Sequence, residues 1–152
     1  MTTRPTRVLA IASSGGHWVQ LRRLAPAFVD HEVVYASVRP EDGADVAPAP
    51  YHVVADATRW DKVGMVRLAL QVLVLLIRVR PDVIVSTGAL PGFFAIRLGS
   101  LLRRRTVWID SIANCEELSM SGRRVEGAAD LWLTQWPELA APDGPEFAGA
   151  VL

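Results

Sequence analysis

The sequence has few of the features that secreted, membrane-spanning or nucleic-acid-binding proteins need. Its 152 residues include a single cysteine, Cys115, which excludes an internal disulfide and a cysteine-rich metal site. Its 16 lysines and arginines are balanced by 16 aspartates and glutamates, so no net charge attracts nucleic acid. No apolar segment that ends in a cleavage site follows the first residues, and we expect no signal peptide. These absences fit a reducing, cytosolic setting.

Long hydrophobic runs are also missing from the chain. The longest, residues 68–77, contains Gln71. A helix that crosses a bilayer needs about 20 predominantly apolar residues. We therefore expect no full transmembrane span.

The segment 60–80 is nevertheless too apolar for a helix that buries only one face. Arg67, Gln71 and Arg78 form one narrow polar stripe, and nearly every other residue from 65 to 79 is apolar. A helix that packs on a sheet needs an apolar arc of only about 100°. The remaining surface must contact a partner protein or the lipid interface, where arginines reach the headgroups, and the pattern leaves both open. The residues expected on this face are Arg67, Leu70, Leu73, Ile77 and Arg78.

Apolar segments with the lengths of strands and helices alternate along the chain. Hydrophobic residues make up 51% of the sequence, which is enough for a sizeable core. The alternation predicts an α/β fold, a Rossmann-like doubly wound parallel sheet with helices on both faces. We expect one domain over residues 1–139 and an irregular tail over 140–152. The predicted strands are 7–12, 31–37, 51–56, 82–87, 106–110 and 130–135, and the predicted helices are 17–30, 60–80, 91–103 and 118–129.

Two glycine-rich loops follow the first and fourth predicted strands. In a doubly wound sheet these strands are neighbours at the crevice where strand order reverses and ligands bind. Each loop leads into a helix N-terminus, where free N–H groups and the helix dipole favour an anion such as phosphate. A tight strand-to-helix turn needs the same glycines, so neither loop alone identifies a ligand. The candidate phosphate-binding residues are Ser14, Gly15, Gly16, Gly88, Pro91 and Gly92.

His17 begins the helix beside this crevice. Two chemical roles are open to it, a general base for a hydroxyl and a hydrogen-bond donor to phosphate. A histidine that only caps its own helix explains the residue equally well. The loop matches neither GxGxxG nor GxxxxGK[ST], so nucleotide hydrolysis by a P-loop is unsupported. A stand-alone nucleotide-binding enzyme also needs an acidic residue about 20 residues after the loop, and only Glu41 and Asp42 occur there, in a predicted loop.

Polar residues are densest after the fifth predicted strand, in the segment 108–139. Asp110, Glu116 and Glu117 are candidate acids at or just beyond the carboxyl end of that strand. Each carboxylate taken alone is explained as well by a helix N-terminal or solvated position. The segment therefore supplies cleft candidates without a defined role.

Four segments, in this order, resemble one family of transferase subunits: ASSGGHWVQL, DVIVSTGALPGFFA, WIDSIANCEELSMSGRRV and ADLWLTQWPEL. The resemblance covers about residues 7–139. The family includes the membrane-anchoring subunit of the two-component eukaryotic enzyme that adds the second N-acetylglucosamine to dolichol-pyrophosphate-GlcNAc. It also includes bacterial exopolysaccharide relatives of the PssD type.

The resemblance implies the acceptor-side, N-terminal half of a GT-B glycosyltransferase that is split into two polypeptides, similar to the N-terminal domain of the one-chain MurG-type transferase. A partner subunit would supply the C-terminal half and most of the UDP-sugar site. This chain would then bind no cofactor and no metal of its own. The complex would sit peripherally on the cytosolic face of the membrane and transfer a sugar to a polyprenyl-linked acceptor with inversion.

The resemblance also assigns roles to residues. It places Gly15, Gly16 and His17 in the cleft, with His17 as the candidate that deprotonates the acceptor hydroxyl or orients its diphosphate. Gly88, Pro91 and Gly92 correspond to the second cleft loop. Asp110 stands where many relatives have glutamate, so its side chain is shorter by one methylene. The remaining cleft candidates are Asp110, Ser111, Glu116, Ser119, Ser121 and Gly122, and the candidates for partner contact are Trp136 and Pro137.

The predicted function is therefore a glycosyltransferase subunit that is inactive without its partner. It would bind a polyprenyl-(pyro)phosphate-linked acceptor and recruit a UDP-sugar-binding catalytic subunit. The transferred sugar would be N-acetylglucosamine or a related hexose, in oligosaccharide or exopolysaccharide biosynthesis. The alternative is a non-catalytic membrane scaffold that only anchors or activates the partner.

Overall fold

A computed structural model describes residues 3–151, which form seven strands and four α-helices. Residues 1, 2 and 152, the outer ends of the predicted domain and tail, lie outside the described residues. The strands are β1 Arg7–Ile11, β2 Glu32–Ser37, β3 Tyr51–Val53, β4 Val83–Ser86, β5 Arg105–Ile109, β6 Leu131–Thr134 and β7 Glu146–Phe147. The helices are α1 Gly16–Arg23, α2 Lys62–Val79, α3 Ala89–Leu101 and α4 Met120–Arg124, with 3₁₀ turns at Ala25–Phe28, Pro40–Asp45 and Pro137–Leu139.

The strands form one parallel sheet in the order β3-β2-β1-β4-β5-β6-β7. Strand β1 pairs with β2 on one side and with β4 on the other, so the strand order reverses between β1 and β4. This confirms the predicted fold class, a Rossmann-like doubly wound sheet. The carboxyl ends of β1 and β4, and the loops that follow them, lie side by side.

The sheet buries one hydrophobic core on each face. Alternate residues of β1 point to opposite sides because side chains of a strand alternate. Leu9 and Ile11 pack with α2, α3 and Val125, whereas Val8 and Ala10 pack with α1 through Trp18. Burying each large aliphatic or aromatic side chain contributes about 1.5–3 kcal/mol. The two cores therefore fix the helices that carry the carboxyl-edge loops.

Two predicted helices are shorter than the sequence suggested. Helix α1 ends at Arg23 rather than at residue 30, because Pro26 has no N–H and its ring clashes with the carbonyl of residue 22. The predicted helix 118–129 is reduced to α4, whose Ser119 Oγ caps Gly122 N at 2.8 Å. Gly127 then turns the chain with φ 75°.

The tail differs from the irregular structure expected for residues 140–152. Glu146 and Phe147 form β7, which adds to the sheet edge in register with Leu133 and Thr134 of β6. The pairing occurs because the edge of β6 presents unpaired backbone groups that an extended segment can satisfy. The tail thus carries the last strand of the sheet.

Helix α2 has one buried and one exposed apolar side. It begins after Asp61, whose Oδ1 accepts a hydrogen bond from Gly64 N at 2.8 Å, and it ends at Arg80, which is left-handed with φ 51°. Leu73 is half-buried rather than part of the exposed face, because it lies next to the buried side of the helix. We name the following exposed residues the apolar stripe: Val63, Val66, Leu70, Val74 and Ile77, each between 45% and 82% exposed.

Arg67 and Arg78 are exposed on α2, as predicted. Within residues 3–151, no helix is long and apolar enough to cross a membrane.

Candidate active site

The loops after β1 and β4 meet through His17 and Thr87. The Nδ1 atom of His17 lies 3.0 Å from the carbonyl oxygen of Thr87, and Thr87 Oγ1 donates to the carbonyl oxygen of His17 at 2.7 Å. A carbonyl oxygen only accepts hydrogen bonds, so Nδ1 carries the proton of the neutral ring. In this tautomer the lone pair is on Nε2, which bonds to no atom of residues 3–151, and the His17 side chain is half-buried. The two reciprocal bonds hold the His17 imidazole at the carboxyl edge of the sheet.

Gly88 keeps the space that this imidazole occupies. Its φ of 141° is in the region that favours glycine, and a Cβ atom at this position would overlap Nδ1 and Cε1 of His17. The predicted cleft glycine therefore leaves room for the ring of His17 beside the loop that follows β4.

Gly15 and Gly16 line the same edge without close neighbours. Gly15 has φ 77° and caps α1, and a Cβ on either glycine would meet no atom within 4 Å. Gly15 provides no side-chain cap for α1, and among the hydrogen bonds of residues 3–151 no side chain accepts from the N–H groups of its first turn. This leaves backbone donors next to His17, as an anion-binding loop requires.

Pro91 and Gly92 lie beneath this surface rather than on it. Both are buried in the first turns of α3. A Cβ on Gly92 would overlap the side chain of Ser86 and approach Trp108. Close packing of α3 on β4 and β5 thus accounts for these two residues.

Ser14 is bound to an acidic side chain. Its hydroxyl donates to Asp42 Oδ2 at 2.5 Å, and Ser37 Oγ donates to the same oxygen at 2.9 Å. Nearby, Asp45 Oδ2 accepts from Trp18 Nε1 at 3.0 Å and from Arg22 at 3.2 Å. The end of the site next to β2 therefore carries the Asp42 carboxylate, which disfavours an anion there, whereas the charge of Asp45 is paired with Arg22.

Asp110 organises the segment after β5 instead of facing the cleft. It is 1% exposed, and its carboxylate accepts from Ser119 N at 2.8 Å, Ser119 Oγ at 2.5 Å, Trp108 Nε1 at 3.1 Å and Asn114 Nδ2 at 3.3 Å. A Cβ on Gly122 would overlap Asp110 Oδ1. Asp110, Ser119 and Gly122 are thus one packed cluster, in which the carboxylate anchors the cap of α4.

The other cleft candidates lie in different surroundings. Ser111 is buried, Ser121 is half-buried at the start of α4, and Glu116 is exposed. Trp136 is half-buried, and its Nε1 donates to the carbonyl oxygen of Ile112 at 2.8 Å. Pro137 is exposed. The structure therefore does not gather this set around one point.

Two buried glutamines, which sequence reasoning missed, connect α1 to the segments after β5 and β6. Gln20 donates to Ser111 Oγ at 3.0 Å, and its Oε1 accepts from Gln135 Nε2 at 2.6 Å. Gln135 also donates to the carbonyl oxygen of Asp110 at 2.9 Å and accepts from Val151 N at 2.7 Å. The signal available in the sequence was an amide at a buried position of α1, one turn after His17.

A cavity of about 300 Å³ opens at the same edge, between the segment after β3, the start of α3, and α4. We call it the edge cavity. Arg59 and Arg124, which sequence reasoning did not select, both line it. Its apolar walls include Ala57, Met65, Leu90 and Phe93.

Comparison with known proteins gives one sequence relative and a set of structural neighbours. The chain is 43% identical over 68 residues to the UDP-N-acetylglucosamine transferase subunit ALG14 of Eremothecium gossypii, in an alignment that covers 40% of this chain and 30% of that protein. This match confirms the resemblance that the motifs indicated. No family model matches the chain.

The structural neighbours are larger proteins that share the fold of this chain over part of their length. MurG of Acinetobacter baumannii aligns with a TM-score of 0.75 and 12% identity over 96% of this chain and 46% of that chain. A UDP-N-acetylglucosamine 2-epimerase from Listeria monocytogenes, described as putative in its structure report, aligns with a TM-score of 0.68 and 10% identity over 88% of this chain and 40% of that chain. The chain therefore spans less than half of each of these proteins, and the neighbours show its fold alone.

Proposed function

We propose that this chain is the acceptor-side subunit of a split glycosyltransferase. The subunit named ALG14 supports a role in N-acetylglucosamine transfer, because it is 43% identical to this chain over 68 residues. Its name also supports the split, since that relative is itself described as a subunit of a transferase. In this proposal a second polypeptide supplies the other half and most of the UDP-sugar site, and this chain binds a polyprenyl-linked sugar acceptor.

The geometry of His17 is the observation that carries the proposal. Its Nδ1 lies 3.0 Å from the carbonyl oxygen of Thr87, which in the neutral ring leaves the lone pair on Nε2. In the proposed step Nε2 takes the proton of the acceptor hydroxyl as the hydroxyl oxygen attacks the anomeric carbon of the donor sugar. The bond between that carbon and the UDP oxygen breaks, and UDP leaves with the electron pair. A positioned base of this kind contributes about 10²–10⁴-fold to a rate.

The test of the proposed function is transfer by the two chains together. This chain and the UDP-sugar-binding subunit of the same organism are expressed separately and together, and transfer of radiolabelled N-acetylglucosamine to a polyprenyl-diphosphate-sugar is measured in membranes. We expect transfer only when both chains are present. Transfer by this chain alone would contradict the split, and an absence of transfer with both chains would contradict the proposed reaction.

The proposal includes attachment to the cytosolic face of the membrane through the apolar stripe of α2. The stripe exposes five aliphatic side chains along one side of the helix, and exposed Arg67 and Arg78 lie on the same helix. An amphipathic surface of this kind buries its apolar face at the headgroup boundary and pairs its cations with anionic lipids. Lipid contact therefore explains both the apolar and the basic residues of this face.

A charge within the stripe is expected to release the chain from vesicles. We expect Val66→Asp together with Leu70→Asp to abolish co-sedimentation with vesicles that contain phosphatidylglycerol, because the charges oppose insertion. Val29→Asp is the matched control, since Val29 is 81% exposed outside the stripe. Unchanged co-sedimentation of the double variant would contradict lipid contact and would favour a protein partner as the contact of the stripe.

A further inference from the structure

The edge cavity combines apolar walls with two cationic side chains at its rim. Ala57, Met65, Leu90 and Phe93 supply aliphatic and aromatic surface, and Arg59 and Arg124 are exposed beside them. A volume of about 300 Å³ is at the lower end of the range for pockets that bind small molecules. The cavity therefore suits a short apolar group that is attached to an anion.

The two arginines are available to an anion. Within residues 3–151, no salt bridge involves Arg59 or Arg124. Arg59 lies 4.5 Å from the ring centroid of Trp60, and its Nη1 donates to Met120 Sδ at 3.5 Å. Neither of these partners is charged, so the guanidinium charge is not neutralised by them. Guanidinium groups bind phosphate oxygens through paired, charge-assisted hydrogen bonds.

The charge distribution along the carboxyl edge favours this end for an anion. The opposite end, next to β2, holds the carboxylate of Asp42, whereas Asp45 is paired there with Arg22. The arginines of the edge cavity lie on the side of α2, α3 and α4. An anionic ligand that spans the edge would thus bind with its phosphates at Arg59 and Arg124.

The apolar side of the cavity continues onto the membrane-facing surface. Met65 lines the cavity, and its helix neighbours Val63 and Val66 are 82% and 61% exposed in the apolar stripe. Trp60, which carries Arg59 on its ring, is 79% exposed. Because Met65 and Val66 are adjacent in α2, the cavity and the apolar stripe lie close together on this helix.

We infer that the edge cavity binds the diphosphate and the first isoprene units of the polyprenyl acceptor. Arg59 and Arg124 contact the diphosphate, and Leu90 and Phe93 contact the isoprene carbons. The acceptor sugar then lies toward His17, because Ala89 at the cavity directly follows Gly88, against which the His17 ring packs. This inference rests on the proposed function, which makes a polyprenyl-linked sugar the acceptor.

The test is direct binding of farnesyl diphosphate to the full chain by titration calorimetry. Arg124→Gln is expected to weaken binding by about tenfold, as the loss of one charged hydrogen bond does. Ala57→Phe, which fills the cavity, is expected to abolish binding. The matched control is Arg123→Gln, because Arg123 is adjacent in α4 but contacts Glu117 and the carbonyl oxygen of Leu118. This control is expected to bind like the unaltered chain.

Two fragments of farnesyl diphosphate distinguish the contribution of the arginines from that of the apolar walls. Inorganic pyrophosphate and farnesol are each expected to bind more weakly than farnesyl diphosphate, since each lacks one half of the ligand. Equal binding of either fragment, absence of farnesyl diphosphate binding, or binding that Arg124→Gln and Ala57→Phe leave unchanged would overturn the inference.

These results are independent of the transfer assay. Specific binding of farnesyl diphosphate without transfer by the two chains would refute the proposed function and support an isoprenoid-diphosphate site. Transfer by the two chains, together with farnesyl diphosphate binding that ignores Arg124 and Ala57, would refute the site and support the function.

Discussion

Replacing His17 with alanine is expected to lower sugar transfer by the two-subunit enzyme by about 10²–10⁴-fold. The substitution removes the nitrogen that is held ready to take a proton, and it leaves the packing of α1 on the sheet intact, because Trp18 and Leu21 supply that packing. Co-purification with the partner subunit is expected to be unchanged. The measurement is initial transfer rate at saturating donor, with the two chains co-purified.

Two variants make the result for His17 specific. His31→Ala is the matched control, because His31 is exposed just before β2, at the amino end of the sheet, and its loss is expected to leave transfer unchanged. Gly88→Ala is expected to reduce transfer as well, since the added methyl group takes the space of the imidazole. Full transfer by His17→Ala would contradict the catalytic role and favour the scaffold alternative.

Replacing Asp110 with alanine is expected to lower the free energy of unfolding by about 3 kcal/mol or more. The substitution leaves the N–H of Ser119, the Ser119 hydroxyl, the Trp108 indole and the Asn114 amide without their shared acceptor. Each buried donor that loses its partner costs about 1–3 kcal/mol. Urea unfolding monitored by tryptophan fluorescence measures the change.

The role of Asp110 is separated from a general charge effect by two further variants. Asp110→Asn keeps one oxygen acceptor but presents an amide to donors, so an intermediate loss is expected. Glu116→Ala is the matched control for stability, because Glu116 is an exposed carboxylate of the same segment, and no change is expected. A loss below about 1 kcal/mol for Asp110→Ala would contradict the anchoring role.

Much of the fold could be predicted from local sequence patterns. Where the structure differs from that prediction, the cause is also local. The apolar runs and glycine loops were sufficient to identify β1, β4 and the reversal of strand order between them. The apolar spacing of residues 17–30 predicts a longer α1 than the structure has, because Pro26 ends the helix in spite of that spacing. Strand β7 has only two residues, so it is too short to show a hydrophobic periodicity. It joins the sheet by pairing with β6, which is already in place.

The chemistry of the site was less predictable, because it depends on residues that are far apart in the chain. The motif identified His17 and Gly88, but the tautomer of His17 follows from a carbonyl 70 residues away. Gln20 and Gln135 are separated by 115 residues, and neither stands in a recognisable pattern. Asp110 is only a cleft candidate in the sequence, and its anchoring role follows from its contacts with Trp108, Asn114 and Ser119.

Helix α2 divides its residues between two tasks that do not interfere. Leu68, Val72, Leu75, Leu76 and Val79 are buried and sustain the core, whereas the apolar stripe contributes little to folding because it stays exposed. Substitutions among the exposed residues of the stripe therefore leave the buried side of the helix unchanged. The exposed surface of α2 can therefore be altered by substitutions in the stripe while the scaffold beneath it stays the same.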